Sequence, residues 1–197
     1  MKNKNLTIKV SFAALLLAFN ISGCETDHHD AILADSQIKA DNSINKPDNT
    51  IYNINNIYLA SPFFNDTEVK NIEYVESVLE DKGLAYFSPM RHSVDGKPGT
   101  PEWAHKVFNV DKGEIEKADA VVALYYGNTS DSGTAWECGY AYSIGKPVVL
   151  VHIDRDGDSN LMMHCGCWTN IYLDELKDYN FETMPVYEYE GKMFKEE

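Results

Sequence analysis

The sequence predicts an α/β fold, a three-layer sandwich with a parallel sheet at its centre. Two continuous apolar runs, at residues 119–126 (DAVVALYY) and 148–153 (VVLVHI), have the length and composition of parallel strands that are covered on both faces. Between them, turn residues from Gly127 to Gly133 precede a segment of helical spacing over residues 134–144. Since strands and helices alternate along the chain, the pattern indicates parallel strands joined by helical crossovers.

Residues 1–23 are predicted to be a lipoprotein signal peptide. Lys2, Lys4 and Lys9 form a positive region, and the apolar run over residues 11–19 is too short to span a membrane. The tetrad Ile21-Ser-Gly-Cys24 resembles a bacterial lipobox, in which the cysteine is lipidated and becomes the mature N-terminus. We therefore expect a protein of the bacterial cell envelope, held on the extracytoplasmic side of a membrane by the lipid on Cys24 alone. The alternative is a plain secretory signal with an incidental cysteine.

The segment of residues 24–54 is polar and is predicted to be a disordered tether that leads to a folded domain over residues 55–197. Removal of residues 1–23 takes away three lysines and no acid, so the net charge falls from −14 to −17. An acidic surface is a poor partner for nucleic acid, and we expect no such interaction. With only two arginines, Arg91 and Arg155, a multiply phosphorylated substrate is also disfavoured.

The cysteines do not indicate a metal site, and we expect neither a metal nor a cofactor. Cys165 and Cys167 form a C-x-C pair with only His164 near them, which is too few ligands at usable spacing for zinc. In an oxidising compartment these two cysteines would be able to form a disulfide.

The remaining elements follow in chain order. Residues 57–60 form a short strand, after which Asp66 or Thr67 is expected to cap a helix that continues to about Asp81. Residues 84–87 form the second strand. A long helix then begins at Pro101 in position N1, with Thr100 as its cap. Near the C-terminus, we expect a last strand over residues 170–173 and a short helix over residues 174–181.

Two carboxylates interrupt apolar helix faces. Asp111 falls on the stripe of the long helix formed by Ala104, Val107, Phe108, Ile115 and Ala118. Glu137 falls in the first turn of the next predicted helix, on the face of Ala141 and Ile144 that should pack on the sheet.

Each carboxylate also has a structural interpretation. Asp111 could be satisfied by a nearby backbone N–H, and Glu137 could be favoured by the positive end of the helix dipole. The functional interpretation is that different elements deliver two carboxyl groups to one cleft. Such a pair suits cleavage of a glycosidic-type bond, because one group attacks the sugar carbon while the other handles the proton of the leaving group.

Several motifs in sequence order resemble the nucleoside 2-deoxyribosyltransferase family over about residues 57–171. They are IYLASPFF at residues 57–64, FSP at 87–89, Asp111 eight residues before DAVVA, DSGTAWECGYA at 131–141 and GKPV at 145–148. The resemblance implies a flavodoxin-like fold and transfer of 2-deoxyribose between nucleobases by double displacement. Its substrates would be a deoxynucleoside and a free nucleobase.

The resemblance also implies a role for each matching residue. Glu137 would attack C1′ to form a deoxyribosyl-enzyme ester, while Asp111 would protonate the departing base and deprotonate the incoming one. Tyr58 would hydrogen-bond Glu137 and hold it for attack. Asp131 matches the ligand of the sugar hydroxyls, and Phe64 matches the aromatic side chain that stacks on the base.

The resemblance further implies a homo-oligomer. Asn170 lies where the family has a residue that a neighbouring subunit lends to the site. The chain departs from the family pattern at Trp136 and Cys138, which are bulkier than the usual neighbours of the nucleophile. Trp136 would either narrow the base pocket or pack on another subunit.

Electrostatics are consistent with these roles. The positive end of the helix should favour an ionised Glu137, as a nucleophile requires. Asp111, set in an apolar stripe, should have a raised pKa, as a proton donor requires.

Two other functions remain open from the sequence. An N-glycosidase on the same scaffold would hydrolyse nucleosides or nucleoside 5′-monophosphates, and would differ only in letting water meet the glycosyl-enzyme. Ser61 and Ser132 would suit a phosphate, whereas the lack of a nearby arginine disfavours one. A binding module without turnover would not require Glu137, Asp111 and Tyr58 together.

Overall fold

The computed structural model describes residues 50–127 and 130–193. The predicted signal peptide, Cys24 and most of the predicted tether lie outside the described residues. Near the end of the predicted tether, Tyr52 contacts the domain. Its backbone N–H donates to the carbonyl of Glu182 at 2.7 Å, and its ring meets Trp168 edge-on.

A parallel sheet of five strands forms the centre of the domain. The strands are β1 (Asn56–Ala60), β2 (Ala85–Phe87), β3 (Ala120–Tyr125), β4 (Val148–His152) and β5 (Thr169–Tyr172), in the spatial order β2-β1-β3-β4-β5. This is the order of doubly wound flavodoxin-like sheets, so the predicted fold class is confirmed. The predicted strand boundaries agree with the structure to within one residue, because the apolar runs are long enough to leave no other register.

Four α-helices connect the strands: α1 (Asp66–Asp81), α2 (Pro101–Lys117), α3 (Ser132–Ser143) and α4 (Leu161–Gly166). Short 3-10 helices occupy Pro89–Arg91 and Leu173–Asp178. Thr100 caps α2 as predicted, since its hydroxyl accepts from the backbone N–H of Trp103. The cap of α1 is Asn65 rather than Asp66 or Thr67. Its side-chain oxygen Oδ1 accepts hydrogen bonds from two backbone N–H groups at the helix start, those of Thr67 and Glu68.

Apolar layers cover both faces of the sheet. Helix α1 and the segment Leu173–Asp178 pack on one face, against side chains such as Ile57, Val122 and Val149. Helices α2, α3 and α4 pack on the other face, where Tyr58, Val121 and Leu150 point. The crossovers change face between β1 and β3, and the crevice at such a switch point is where ligands of these sheets bind. None of the helices among the described residues combines the length and apolar character needed to cross a membrane.

A buried ion pair anchors the turn that follows β2. The side chain of Glu76 on α1 is 6% exposed. Arg91 donates to it from Nη2 to Oε2 at 2.6 Å and from Nε to Oε1 at 3.1 Å. Glu76→Gln should lower the free energy of unfolding by about 1–3 kcal/mol, because Arg91 loses a charged, hydrogen-bonded partner. Urea unfolding measures the loss. Glu73→Gln is the matched control, since Glu73 is 52% exposed and lies 3.5 Å from Arg91. Equal effects of the two substitutions would contradict the assignment.

Candidate active site

Tyr58 and Glu137 form a hydrogen-bonded pair between β1 and α3. The Tyr58 hydroxyl donates to Glu137 Oε1 at 2.6 Å, which is short for a neutral donor and typical of a bond to a carboxylate. Tyr58 is fully buried in the sheet face that α2 and α3 cover. Burial and the Glu137 charge raise the Tyr58 pKa far above its ordinary value, so the hydroxyl remains a donor. The pair holds one carboxylate oxygen and leaves the other for chemistry.

The environment of Glu137 differs from the sequence prediction. Helix α3 begins at Ser132, two residues before the predicted start, so Glu137 is its sixth residue and lies in the second turn. The helix dipole acts mainly on the first turn, and burial outweighs it. Desolvation raises the Glu137 pKa to about 7, against the bond from Tyr58, and the charges of Asp111 and Asp131 raise it further. The expectation that the helix end keeps Glu137 readily ionised is therefore corrected.

Asp111 lies on α2 close enough to influence both members of the pair. Its charge raises the pKa of Glu137 and that of Tyr58. Partial burial raises the Asp111 pKa to about 6, while the charge of His92 acts in the opposite direction. The predicted direction of the Asp111 pKa shift is confirmed, because removal of the side chain from solvent disfavours its charged form.

The first half of α2 is more open than its apolar stripe predicts. Ile115 and Ala118 are buried, whereas Ala104 is exposed and Phe108 is 45% exposed. The stripe is covered only where it reaches the sheet, so the half of the helix before Asp111 borders open space. Phe108 contacts Trp136 of α3, with ring centroids 5.0 Å apart.

Asp131 caps α3 and lies beside the pair. Its Oδ2 accepts from the backbone N–H of Thr134 at 2.8 Å. A Cβ at Gly133 would lie 2.8 Å from the same Oδ2, which explains why this position carries no side chain. The Asp131 charge acts on Glu137, so the residue predicted to bind sugar hydroxyls lies near the predicted nucleophile.

Phe64 follows β1 at the carboxyl edge of the sheet. Its ring is 77% exposed and stacks on Phe63 at 5.7 Å. The Phe64 backbone N–H donates to the Glu68 carboxylate at 2.6 Å, which ties the loop to the first turn of α1. An exposed aromatic ring in a tethered loop at this edge is available to a base.

Asn170 lies in a different part of the fold. It is 8% exposed in β5, and its Oδ1 is 3.0 Å from Nε2 of His152 on β4. The Asn170 backbone N–H donates to the carbonyl of Tyr187, so the C-terminal segment covers this strand. Within its own chain the Asn170 amide is therefore buried and bonded, and its role as a residue lent to a neighbouring subunit stays a prediction.

His92 was not singled out by the sequence analysis, yet it is the side chain whose charge opposes the effect of burial on Asp111. Its ring stacks on Phe87 with centroids 4.0 Å apart, and Phe87 stacks on Tyr58 at 5.9 Å. The sequence feature that could have indicated His92 is its position shortly after Ser88-Pro89, at the carboxyl end of the second strand.

Among residues 50–127 and 130–193, no group of three or more His, Cys, Asp or Glu side chains could hold a metal ion. Cys138, Cys165 and Cys167 are free thiols, so the structure contains no Cys165–Cys167 disulfide. Burial raises the pKa of Cys138 far above its usual range, which makes this neighbour of Glu137 an inert packing residue.

Comparisons with known proteins show which family the chain resembles. The family model described as nucleoside 2-deoxyribosyltransferase matches residues 57–167. A nucleoside deoxyribosyltransferase of Limosilactobacillus fermentum is 31% identical over 143 residues, which cover 64% of this chain and 85% of the relative. Another from Lactobacillus leichmannii is 35% identical over 94 residues, covering 47% of this chain and 60% of the relative.

A solved structure gives the same result. The 2-deoxyribosyltransferase of Bacillus psychrosaccharolyticus is 36% identical and superposes with a TM-score of 0.64, covering 68% of this chain and 98% of that protein. The family model spans more than half of the chain and includes the strands and helices that carry Tyr58, Asp111 and Glu137. The chain therefore belongs to the nucleoside 2-deoxyribosyltransferase family.

Proposed function

We propose that the protein transfers 2-deoxyribose between nucleobases by double displacement through a glycosyl-Glu137 intermediate. The observation that carries the proposal is the 2.6 Å hydrogen bond from Tyr58 to Glu137, a carboxyl group whose pKa the Asp111 charge also raises. A buried carboxylate held by one donor, beside a second carboxyl of raised pKa, is the arrangement that nucleophile and proton donor require.

In the first step, Glu137 attacks C1′ of a deoxynucleoside. The N-glycosidic bond breaks with its electron pair going to the base, which takes the proton of Asp111. The sugar remains as an ester on Glu137. In the second step, a ring nitrogen of another base attacks C1′, the ester bond breaks, and Asp111 takes the proton of the incoming base. Both carboxyl groups return to their starting states, so the cycle needs no cofactor.

The arginines support a nucleoside rather than a nucleotide as substrate. Arg91 is bound to Glu76 and Glu73, and Arg155 is bound to Asp174 and Glu175. Bidentate recognition of a phosphate would require one of them to leave its carboxylates. Because both arginines are already paired with carboxylates, an N-glycosidase acting on nucleoside 5′-monophosphates is disfavoured. Hydrolysis of nucleosides differs from transfer only in the acceptor, which is water instead of a base, and an experiment distinguishes the two reactions.

Incubation with deoxyinosine, with and without free adenine, followed by chromatography tests the function. Transfer yields deoxyadenosine only when adenine is present, because the glycosyl-enzyme needs a base as the acceptor of the sugar. Release of free deoxyribose at a rate that adenine does not affect would identify a hydrolase. A protein that forms neither product would be a binding module.

The activity should have a bell-shaped pH profile with apparent pKa values of about 6 and about 7. The active form carries a proton on Asp111 and none on Glu137, and it is the less populated of the two singly protonated forms because the Asp111 pKa lies below that of Glu137. Below about pH 6 both carboxyl groups are protonated and the nucleophile is lost, whereas above about pH 7 both are ionised and the leaving base receives no proton. Measurement of kcat/KM between about pH 5 and 9 tests this. A profile that rises steadily to the alkaline end would contradict the pairing.

We also propose that the protein is a homo-oligomer. Several large apolar side chains are exposed in the described chain, among them Phe108, Trp136, Tyr142 and Met162. Their burial between copies would remove apolar surface from water. Light scattering on the purified protein decides this proposal, and a fully active monomer would refute it.

The cellular location is proposed on the sequence alone. Three lysines, an apolar run and a lipobox-like tetrad ending at Cys24 support a lipid-anchored protein of the bacterial cell envelope. Metabolic labelling with a radioactive fatty acid should modify the wild-type protein and not the Cys24→Ala variant. Equal labelling of the two would refute the anchor.

A further inference from the structure

Three contacts fix the imidazole of His92. Its ring nitrogen Nδ1 lies 3.0 Å from the carbonyl oxygen of Ser88, and its backbone N–H donates to the carbonyl of Pro89. The ring stacks on Phe87. The preceding residue, Arg91, is held by the buried carboxylate of Glu76. An exposed histidine is therefore set in one orientation by the turn that carries it.

The contact with Ser88 determines the tautomer of the neutral ring. A carbonyl oxygen can only accept a hydrogen bond, so Nδ1 carries the proton and Nε2 carries the lone pair. Within the described part of the chain, Nε2 of His92 has no hydrogen-bond partner. The neutral ring therefore presents an unused acceptor.

The ring that carries this acceptor lies near the carboxyl group that would protonate a base. Three rings in sequence, His92, Phe87 and Tyr58, lead to the hydroxyl that holds Glu137. The imidazole and the Asp111 carboxyl act on each other electrostatically. The charged and titratable groups facing Asp111 are His92 from the turn after β2, Tyr58 from β1 and Glu137 from α3.

We propose that Nε2 of His92 reads the substituent at position 6 of a purine, so that the enzyme prefers 6-aminopurines to 6-oxopurines. The inference rests on the proposed function and names its substrate class. Adenine offers a ring-nitrogen acceptor, N7, next to an amino donor, whereas guanine and hypoxanthine offer N7 next to a carbonyl oxygen. Asp111 serves N7 and His92 accepts from the amino group. A carbonyl oxygen in that place would face the Nε2 lone pair.

The same discrimination holds in both directions of the reaction. When a base leaves, the proton moves from Asp111 to N7. When a base enters with its proton on N7, that proton moves to Asp111 as the other ring nitrogen attacks C1′. The substituent at position 6 faces Nε2 of His92 in each case, so donor and acceptor preferences should agree.

The experiment compares deoxyadenosine with deoxyinosine as deoxyribosyl donors at about pH 8. The wild-type kcat/KM should favour deoxyadenosine by about tenfold or more, the effect of one hydrogen bond gained against one acceptor left unpaired. His92→Phe keeps a ring on Phe87 but has no Nε2, and its ratio should fall towards one. His92→Gln, whose amide can turn either way, should do the same. The control His105→Gln alters an exposed histidine on α2 and should keep the wild-type ratio.

A wild-type ratio near one at about pH 8, or a His92→Phe ratio equal to that of wild type, would overturn the inference. Calorimetric titration with free adenine and hypoxanthine separates the two proposals. Preferential adenine binding without turnover would refute the transferase and support the role of His92, and equal affinities would refute that role.

Discussion

Replacing Glu137 with glutamine is expected to abolish deoxyribosyl transfer and to stabilise the fold above neutral pH. Glutamine has the shape of the carboxylate, and its carbonyl oxygen can still accept the bond from the Tyr58 hydroxyl. It cannot form the glycosyl ester, however. Loss of a group essential to covalent catalysis should therefore leave well under about a tenth of wild-type activity, since no other side chain can replace the nucleophile.

The stability gain follows from the sign of the Glu137 pKa shift. Burial raises this pKa from 4.5 to about 7 in the folded protein. A carboxyl with a raised folded pKa costs stability when it is ionised, and that cost is complete above about pH 7 and absent below about pH 4.5. The shift corresponds to about 3 kcal/mol, so Glu137→Gln should melt several degrees above wild type at about pH 8.

Thermal unfolding at about pH 8 and about pH 4.5 measures both halves of this expectation. The difference between Glu137→Gln and wild type should disappear at the lower pH, where both side chains are neutral. Glu102→Gln serves as the control, because Glu102 is an exposed carboxylate on α2 and its loss should give no gain. A variant that retains activity, or that melts below wild type at about pH 8, would show that Glu137 is not a buried nucleophile.

The fold could be predicted from the sequence because the patterns that specify its strands and helices are local. The apolar runs of β3 and β4 have a single register, and Thr100 with Pro101 marks the start of α2 without ambiguity. The cap of α1 was missed because Asn65, Asp66 and Thr67 are all capable caps, and only the packed chain selects among them.

Residues of the candidate site could be predicted where a carboxylate interrupted an apolar helix face. Asp111 and Glu137 were proposed in this way, and Tyr58 followed from the family resemblance. The surroundings of Asn170 were not predicted, because they are made by a distant segment, with Tyr187 covering β5 and His152 taking the amide oxygen. No local pattern encodes such a contact. The Glu137 pKa was misjudged for a similar reason, since burial is a property of the assembled layers rather than of the helix.

The second large effect concerns the proton donor. Asp111→Asn keeps the size of the side chain but has no carboxylic proton to give. General acid–base groups contribute about 10²- to 10⁴-fold, so glycosylation by a natural deoxynucleoside should slow by roughly that factor. A deoxyribosyl donor whose leaving group needs no protonation should react with Glu137 at close to the wild-type rate. Transfer onward to a natural base should remain slow, because the incoming base must still lose its proton.

The structure adds a pH readout to this test. The Asp111 charge raises the pKa of Glu137, so Asp111→Asn should lower that pKa. With the activated donor, the variant should therefore keep its rate to lower pH than wild type does. A buried carboxylate with only a structural role predicts different results for the two donors and for stability. Both donors would then slow equally and the melting temperature would fall, and this combination would remove Asp111 from the chemistry.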